Sequence, residues 1–250
     1  MLSLSKSLSR LLPALLLLSL AGCASAPPPV KNAETMFKEG EDFYTSKRYE
    51  DAIAQWKRVR EAYTSPELST LAELKIADAH YDNEAFIEAT AAYEEFRKLH
   101  PAHEKAAYAL YRQGLGHYRQ ISGIDTDQTP VNNAVITFDK FLALYPQSEY
   151  AKDVQEKLEI CRIKQAEYGI YIGRFYFRTE KYEAAIGRLE EVLRNFPKSS
   201  VNDEALFILG KAHFLAGNKT KGRDAFNRLF NEYRLSRFVE EAKKFLDKHY

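Results

Sequence analysis

One spacing constrains this chain more than any other property. A small residue is followed twelve positions later by another, then by bulky residues four and seven further on, and by a Pro after five more. Ala77, Ala89, Tyr93, Phe96 and Pro101 fit completely, as do Gly173, Ala185, Leu189, Val192 and Pro197. Gly40, Ala52, Trp56 and Val59 fit with Thr64 in the place of the Pro and Pro66 just after it. Gly210, Gly222, Phe226 and Leu229 fit with Gly222 for Ala and Arg234 for Pro. Beyond the N-terminal leader no stretch sustains the alternation of a half-buried strand, and Gly and Pro fall between the periodic segments. The chain reads as all-α.

Paired small residues let two helices approach closely, and bulky residues at spacings of three and four fill one helix face. The Pro ends the second helix. A capping residue then opens the next, and Ser65, Ser148 and Ser200 stand where such caps belong. The motif resembles the tetratricopeptide repeat, a helix–turn–helix of about 34 residues. One hairpin cannot bury its apolar face alone, so neighbours must stack into a solenoid. Five hairpins are expected. Phe238, Val239, Ala242 and Phe245 of "SRFVEEAKKFLDKHY" share one side and suit a C-terminal capping helix.

The third hairpin is irregular. Ala134, Phe138, Phe141 and Pro146 make a complete second helix, and Gly114 is the small residue of "EKAAYALYRQGLGHYRQ". Gly114 and Ala134 are twenty apart where every other pair is twelve apart, so "GIDTDQTP" is an eight-residue enlargement of the turn. Thr129, before Pro130, is the expected N-cap of the helix that follows. A second irregularity comes next. Pro146 to Gly173 is 27 residues where Pro101 to Gly114 is 13, which predicts a long or doubled helix through "EYAKDVQEKLEICRIKQAEYGIYIGRFYF".

The opening "MLSLSKSLSRLLPALLLLSLAGC" has charges only at Lys6 and Arg10, then a short Leu-rich run and small residues before Cys23. That order makes an export signal, too short for a spanning helix of about 20 residues. Leu20-Ala21-Gly22-Cys23 resembles the lipobox of bacterial lipoproteins, in which the Cys is lipidated. Ala24 rather than Asp after it implies sorting to the outer membrane. Residues 1–22 read as the signal peptide and 23–32 as the lipidated Cys with a Pro-rich, stiff tether. Without residues 1–22 the chain carries 34 basic and 35 acidic residues, a balance that argues against a nucleic-acid partner. Cys161 is the one other cysteine, and its setting "LEICRIK" suits a small buried thiol.

Chemistry weighs little against packing here. His80, His117 and His213 each follow a hairpin's small residue by three, as Phe43 and Tyr176 do, so they lie one repeat apart and cannot share an ion at about 2.1 Å. His100 and His103 flank Pro101 in a turn that does not place them on one helix face. Asp125 and Asp127 alternate like the start of a calcium loop, but its Gly and distal Glu are missing. No nucleophile elbow, P-loop or dinucleotide fingerprint is present. The reading is a protein without catalytic activity, metal or cofactor.

One pattern goes beyond stability. An aromatic recurs directly after those five positions, at Tyr44, Tyr81, Tyr118, Phe177 and Phe214. First helices line the concave side of such solenoids, and Phe37, Leu74, Tyr108 and Tyr111 extend the series on that face in the first three hairpins. The rings either form a peptide groove or fill space between hairpins. Tyr suits recognition, because it offers rigid apolar area and a hydroxyl.

"FRKLHPAHEKAAYALYRQGLGHYRQISGIDTDQTP", "YPQSEYAKD" and "YIGRFYFRTEKYEAAIGRLEEVLRNFP" together resemble the BamD family, lipoproteins of the outer-membrane β-barrel assembly machine. Asp127-Gln128-Thr129 in the enlarged turn is among its most specific marks. Gly222 and Arg234 are departures. The resemblance implies a non-enzymatic scaffold on the periplasmic face of the outer membrane. Its N-terminal repeats, 33–146, would receive the C-terminal strand of unfolded barrel proteins. Its C-terminal repeats and cap, 147–250, would hold the periplasmic domains of the barrel subunit BamA beside other lipoproteins of the machine. In relatives an Arg at the place of Arg188 faces that subunit; its side chain also has Glu191 or Glu183 within intrahelical reach. A repeat lipoprotein that coordinates cell-wall proteins is the alternative, and the enlarged turn and long helix count against it.

Overall fold

The computed structural model describes residues 32–62 and 65–249. Cys23, the signal peptide, all of the tether except Asn32, and Thr64 lie outside the described residues. Among those described there are eleven helices and no strand, in an order that alternates first and second helices. The hairpins are α1 (Ala33–Thr45) with α2 (Tyr49–Ala62), α3 (Pro66–Asp82) with α4 (Phe86–Leu99), and α5 (Ala106–Arg119) with α6 (Thr129–Leu144). Then come α7 (Ala151–Arg178) with α8 (Tyr182–Asn195), α9 (Asn202–Leu215) with α10 (Lys219–Glu232), and α11 (Phe238–His249). The fold is a solenoid of five hairpins with a terminal helix. No described helix is long and apolar enough to cross a membrane.

The repeat spacing becomes contact geometry. In the first, fourth and fifth hairpins the bulky residue sixteen after the small one lies directly over it. A Cβ built on Gly40 would stand 2.4 Å from the Trp56 ring, one on Gly173 2.7 Å from Leu189, and one on Gly210 2.5 Å from Phe226. Trp56, Tyr93, Phe138, Leu189 and Phe226 are wholly buried. Each such side chain contributes about 1.5–3 kcal/mol, a gain no isolated hairpin could realise, because neighbouring helices complete each pocket.

Four turns share one device. Lys47, Glu84 and Glu180 take φ 59° and Gly217 φ 85°, each seven residues after the small residue. Around the first, the Arg48 N–H donates to Phe43 O and the Lys47 N–H to Tyr44 O, and the same pair of bonds recurs in the other three. This is the Schellman closure of a helix end by a left-handed residue. The third hairpin lacks it. There α5 ends with the Gln120 side chain donating to Gly116 O at 2.9 Å, and the enlarged turn follows.

Helix starts differ from expectation at three places. Ser65 caps α3 as expected, accepting from the Leu68 N–H at 3.3 Å with Pro66 next in line. At α6, Gln128 holds the cap position without a side-chain bond, and Thr129 is the first helical residue, its N–H and hydroxyl both donating to the Asp127 carboxylate at 2.9 and 2.7 Å. At α7, Ser148 reaches only the Tyr150 N–H at 3.4 Å and makes no helix cap. At α9, Val201 holds the cap position without a side-chain bond, so Ser200 does not cap. In both cases a turn of backbone bonds after the Pro has taken over the closure, such as Ala151 N–H to Ser148 O at 2.9 Å.

The second irregularity is one continuous helix of 28 residues. Ala151, Val154, Leu158 and Cys161 in its first half join the core of the third hairpin. Ala166 and Ile170 in its second half join the core of α8, α9 and α10. Burial pushes the Cys161 thiol up to about 11, which leaves it an inert packing group. Ala242 is buried and Phe238, Val239 and Phe245 pack beside it, so α11 caps the stack as its spacing predicts.

Candidate functional site on the inner face

The first helices of the first three hairpins bring Tyr44, Tyr81, Tyr108 and Tyr111 to one surface, and their hydroxyls and faces are tied to charged groups. Asp78, on α3, accepts from the Tyr93 hydroxyl at 2.5 Å and the Tyr108 hydroxyl at 2.8 Å. Asp82, one turn on, accepts from the Tyr44 hydroxyl and from Arg112 Nη2 at 3.0 Å. The Arg112 guanidinium lies 3.9 Å from the centre of the Tyr81 ring and 5.7 Å from that of Tyr108. Farther along, the Tyr111 hydroxyl donates to Asp153 at 2.8 Å and its ring stacks on Tyr150 at 4.4 Å. Lys157 pairs with Asp153 at 2.6 Å and stands 5.9 Å from the Tyr118 ring.

Burial raises the Asp78 carboxyl above its ordinary range, although the two tyrosine hydroxyls, Arg112 and Lys75 oppose the rise. Burial and the nearby carboxylates push the Tyr44, Tyr93, Tyr108 and Tyr111 hydroxyls upward, so they remain donors at physiological pH. Burial works against the charge of Arg112, but Tyr93, Tyr108, Asp78 and Asp82 outweigh it and keep the guanidinium charged. The face is a preorganised array of rings whose rotamers are fixed by charge-assisted bonds. It offers apolar ring area with little rotamer entropy left to lose, which suits recognition.

Not every expected residue belongs to it. Leu74 is 7% exposed and packs with Ala77, Ala89 and Tyr93 in the core, so it presents nothing to a groove. Phe37 is half-buried against Trp56, whose indole N–H donates to its carbonyl at 3.2 Å. Phe214 is buried on Phe226 and Phe245, which ends the ladder in the fifth hairpin. Asp78, Asp82, Arg112 and Asp153, which organise the rings, are absent from the sequence reading. For Asp78, Asp82 and Arg112 the signal is a charged residue one or five places after, or two before, the small residue of a first helix; Asp153, twenty before Gly173, has no such signal.

The remaining positions fall elsewhere. Arg188, on α8, donates from Nη1 to Glu191 at 2.7 Å and is about one-third exposed, with its Nε turned inward and without an acceptor. Asp127, Gln128 and Thr129 fold the enlarged turn on itself: Gln128 donates to the Thr126 carbonyl at 2.8 Å, and both Thr129 donors bond Asp127. Those two bonds hold the exposed Asp127 carboxyl below its usual range. Lys164 and Glu167 of α7 line a crevice with Ile121, Ile124, Asp127 and Gln128, so the enlarged turn meets the elongated helix. His213 is buried beside Glu190 at 3.7 Å, and burial lowers its pKa, as it does for His80 and His117.

The family described as YfiO, outer membrane lipoprotein, matches residues 29–229. A relative from Vibrio cholerae is 31% identical over 80% of this chain and 88% of its own length. One from Rickettsia prowazekii is 30% identical over 84% of this chain and 86% of its own length, and one from Neisseria meningitidis serogroup A is 25% identical over 90% and 91%. All three are named outer membrane protein assembly factor BamD. With this match, and with the five hairpins and the repeat geometry beneath it, the chain belongs to the YfiO family of outer-membrane lipoproteins.

Proposed function

We propose that the protein is a non-enzymatic scaffold of outer-membrane β-barrel assembly, anchored to the periplasmic side of the outer membrane by acyl chains on Cys23. Its inner face receives the C-terminal strand of unfolded barrel proteins. Its C-terminal hairpins, with Arg188, hold the periplasmic domains of the barrel subunit BamA, and other lipoproteins of the machine join the assembly. The observation that carries this reading is the fixed array of Tyr44, Tyr81 and Tyr108 around Asp78, Asp82 and Arg112, continued by Tyr111 on Asp153, in a chain whose relatives are assembly factors. An extended strand presents side chains on alternate sides at about 6.6–6.8 Å, which suits rings repeated along a groove. Several acyl chains at about 0.8 kcal/mol per buried methylene make the anchor stable.

The test is purification of the detergent-solubilised lipoprotein with quantitative identification of its partners. Recovery of BamA in stoichiometric amount is the expected result. Recovery of cell-wall proteins in its place overturns the reading.

A further inference from the structure

The face of α7 that follows the enlarged turn breaks a rule the other hairpins obey. In the second, third and fifth hairpins the first helix meets the preceding second helix through small residues. These are Ala72 and Ala79 on α3, Ala109 and Gly116 on α5, and Ala205 and Ala212 on α9, all buried. Ala72 and Ala79 lie in one cluster with Ile53 and Trp56 of α2, and Ala205 and Ala212 lie in one with Ile186 and Leu189 of α8. A Cβ on Gly116 would stand 2.5 Å from Thr90 of α4.

The same register in the fourth hairpin holds Tyr168 and Phe175, with Ile172 between them. None of the three belongs to a core cluster, and Phe175 is 47% exposed. The cause is the added length of α7. Arg162 to Asp139 at 2.8 Å and Gln165 to Asn132 at 2.7 Å join α7 to α6, and among the described residues no such bond lies beyond Gln165. In the first hairpin the same register is polar. Its residues in this register are Thr35 and Asp42, with Glu39 between. An exposed apolar face on a helix in the interior of the chain marks a covered surface.

Charge defines the occupant further. Lys164 and Arg178 bracket the apolar residues, and neither has an ion-pair partner among the described residues. In the third hairpin, Arg119 occupies the register of Arg178 and pairs at 3.7 Å with Glu84 in the turn of the preceding hairpin. Lys164 to Arg178 spans fourteen residues, about 21 Å of helix. Ile124 of the enlarged turn, 40% exposed, lies at the Lys164 end of this slot.

We infer that Tyr168, Ile172 and Phe175 form a docking slot for one amphipathic helix of a partner protein. That helix replaces the second helix of an absent hairpin. It has about four turns, small residues opposite the rings and an acidic residue toward each end. This surface is separate from the inner aromatic face and does not depend on what that face binds.

The experiment places a photo-crosslinking amino acid at residue 175, and separately at the exposed residue 42 in the same register, in the full-length lipidated protein in its own membranes. Crosslinks specific to 175 are mapped by mass spectrometry to a segment, which is then made as a peptide. The expected segment is amphipathic and acidic at its ends, and it gains helical circular dichroism on adding the protein. Phe175→Glu and, as an independent surface change, Arg178→Glu should each weaken the peptide at least tenfold while the protein's own melting is unchanged. Equal labelling at 42 and 175 overturns the inference. So does a crosslink to a second copy of this chain, or a mapped segment that binds without becoming helical.

Discussion

Phe138 lies against Gly114 so closely that a Cβ at residue 114 would stand 2.4 Å from its ring, although the two are 24 residues apart where every other such pair is 16 apart. The enlarged turn thus adds eight residues without disturbing the contact that defines the hairpin. Gly114→Ala should cost about 1–3 kcal/mol, because the ring is wholly buried and cannot move aside. Gly187, on α8 with nothing within 4 Å of its Cβ position, is the control. Gly187→Ala should stabilise by up to about 1 kcal/mol through helix propensity. Urea unfolding of the two variants gives the comparison, and equal effects would contradict the close-approach account.

The left-handed turn residues give a second pair of opposite signs. Gly217 tolerates its φ of 85° without a Cβ, so Gly217→Ala should destabilise by about 1 kcal/mol. Glu84 holds φ 59° with a full side chain, and Glu84→Gly should stabilise slightly, by roughly 0.5 kcal/mol after the added unfolded-state entropy. Thermal melts distinguish them by direction alone.

Acid should weaken the fold through its buried histidines. Burial holds His213 below its ordinary pKa, with Glu190 opposing and Lys221 assisting, and His80 and His117 shift the same way. The unfolded chain therefore binds more protons than the native one once the pH falls below about 7. Stability is complete above the ordinary histidine pKa of about 6.5 and is lost as the pH drops through it. His213→Gln should show a shallower loss between pH 7 and 5, and an unchanged slope would remove His213 from the linkage.

On the inner face, Tyr44→Ala combined with Tyr81→Ala should weaken a barrel C-terminal peptide by well over tenfold, since hot-spot rings are worth about 2 kcal/mol or more each. Circular dichroism and melting separate this from a packing defect. A folded double variant with unchanged affinity contradicts the groove.

At the other end, Arg188→Glu loses an intrahelical pair with Glu191 that is worth only a few tenths of a kcal/mol. The monomer should remain folded while its complex with the barrel subunit weakens. An acidic-to-basic change on the partner should restore it. Normal complex formation removes Arg188 from the interface.

The sequence by itself determined the hairpins, the core partners within each of them, the enlarged turn and the long helix. All follow from short-range spacing, because a helix places residues three, four and seven apart on one face and a close helix pair requires a small residue at the contact. The same information could not show that Leu74 turns inward while Tyr81 stays at the surface, since both lie near one face of α3 and only the approach of α4 decides between them. Nor could it join Asp78 to Tyr93 and Tyr108, Asp82 to Tyr44, or Tyr111 to Asp153. Those pairs are 15 to 42 residues apart and belong to different helices, so their meeting depends on the angle at which one helix packs on the next. Spacing along the chain fixes what each helix offers, and the stacking of hairpins decides which of those offers meet.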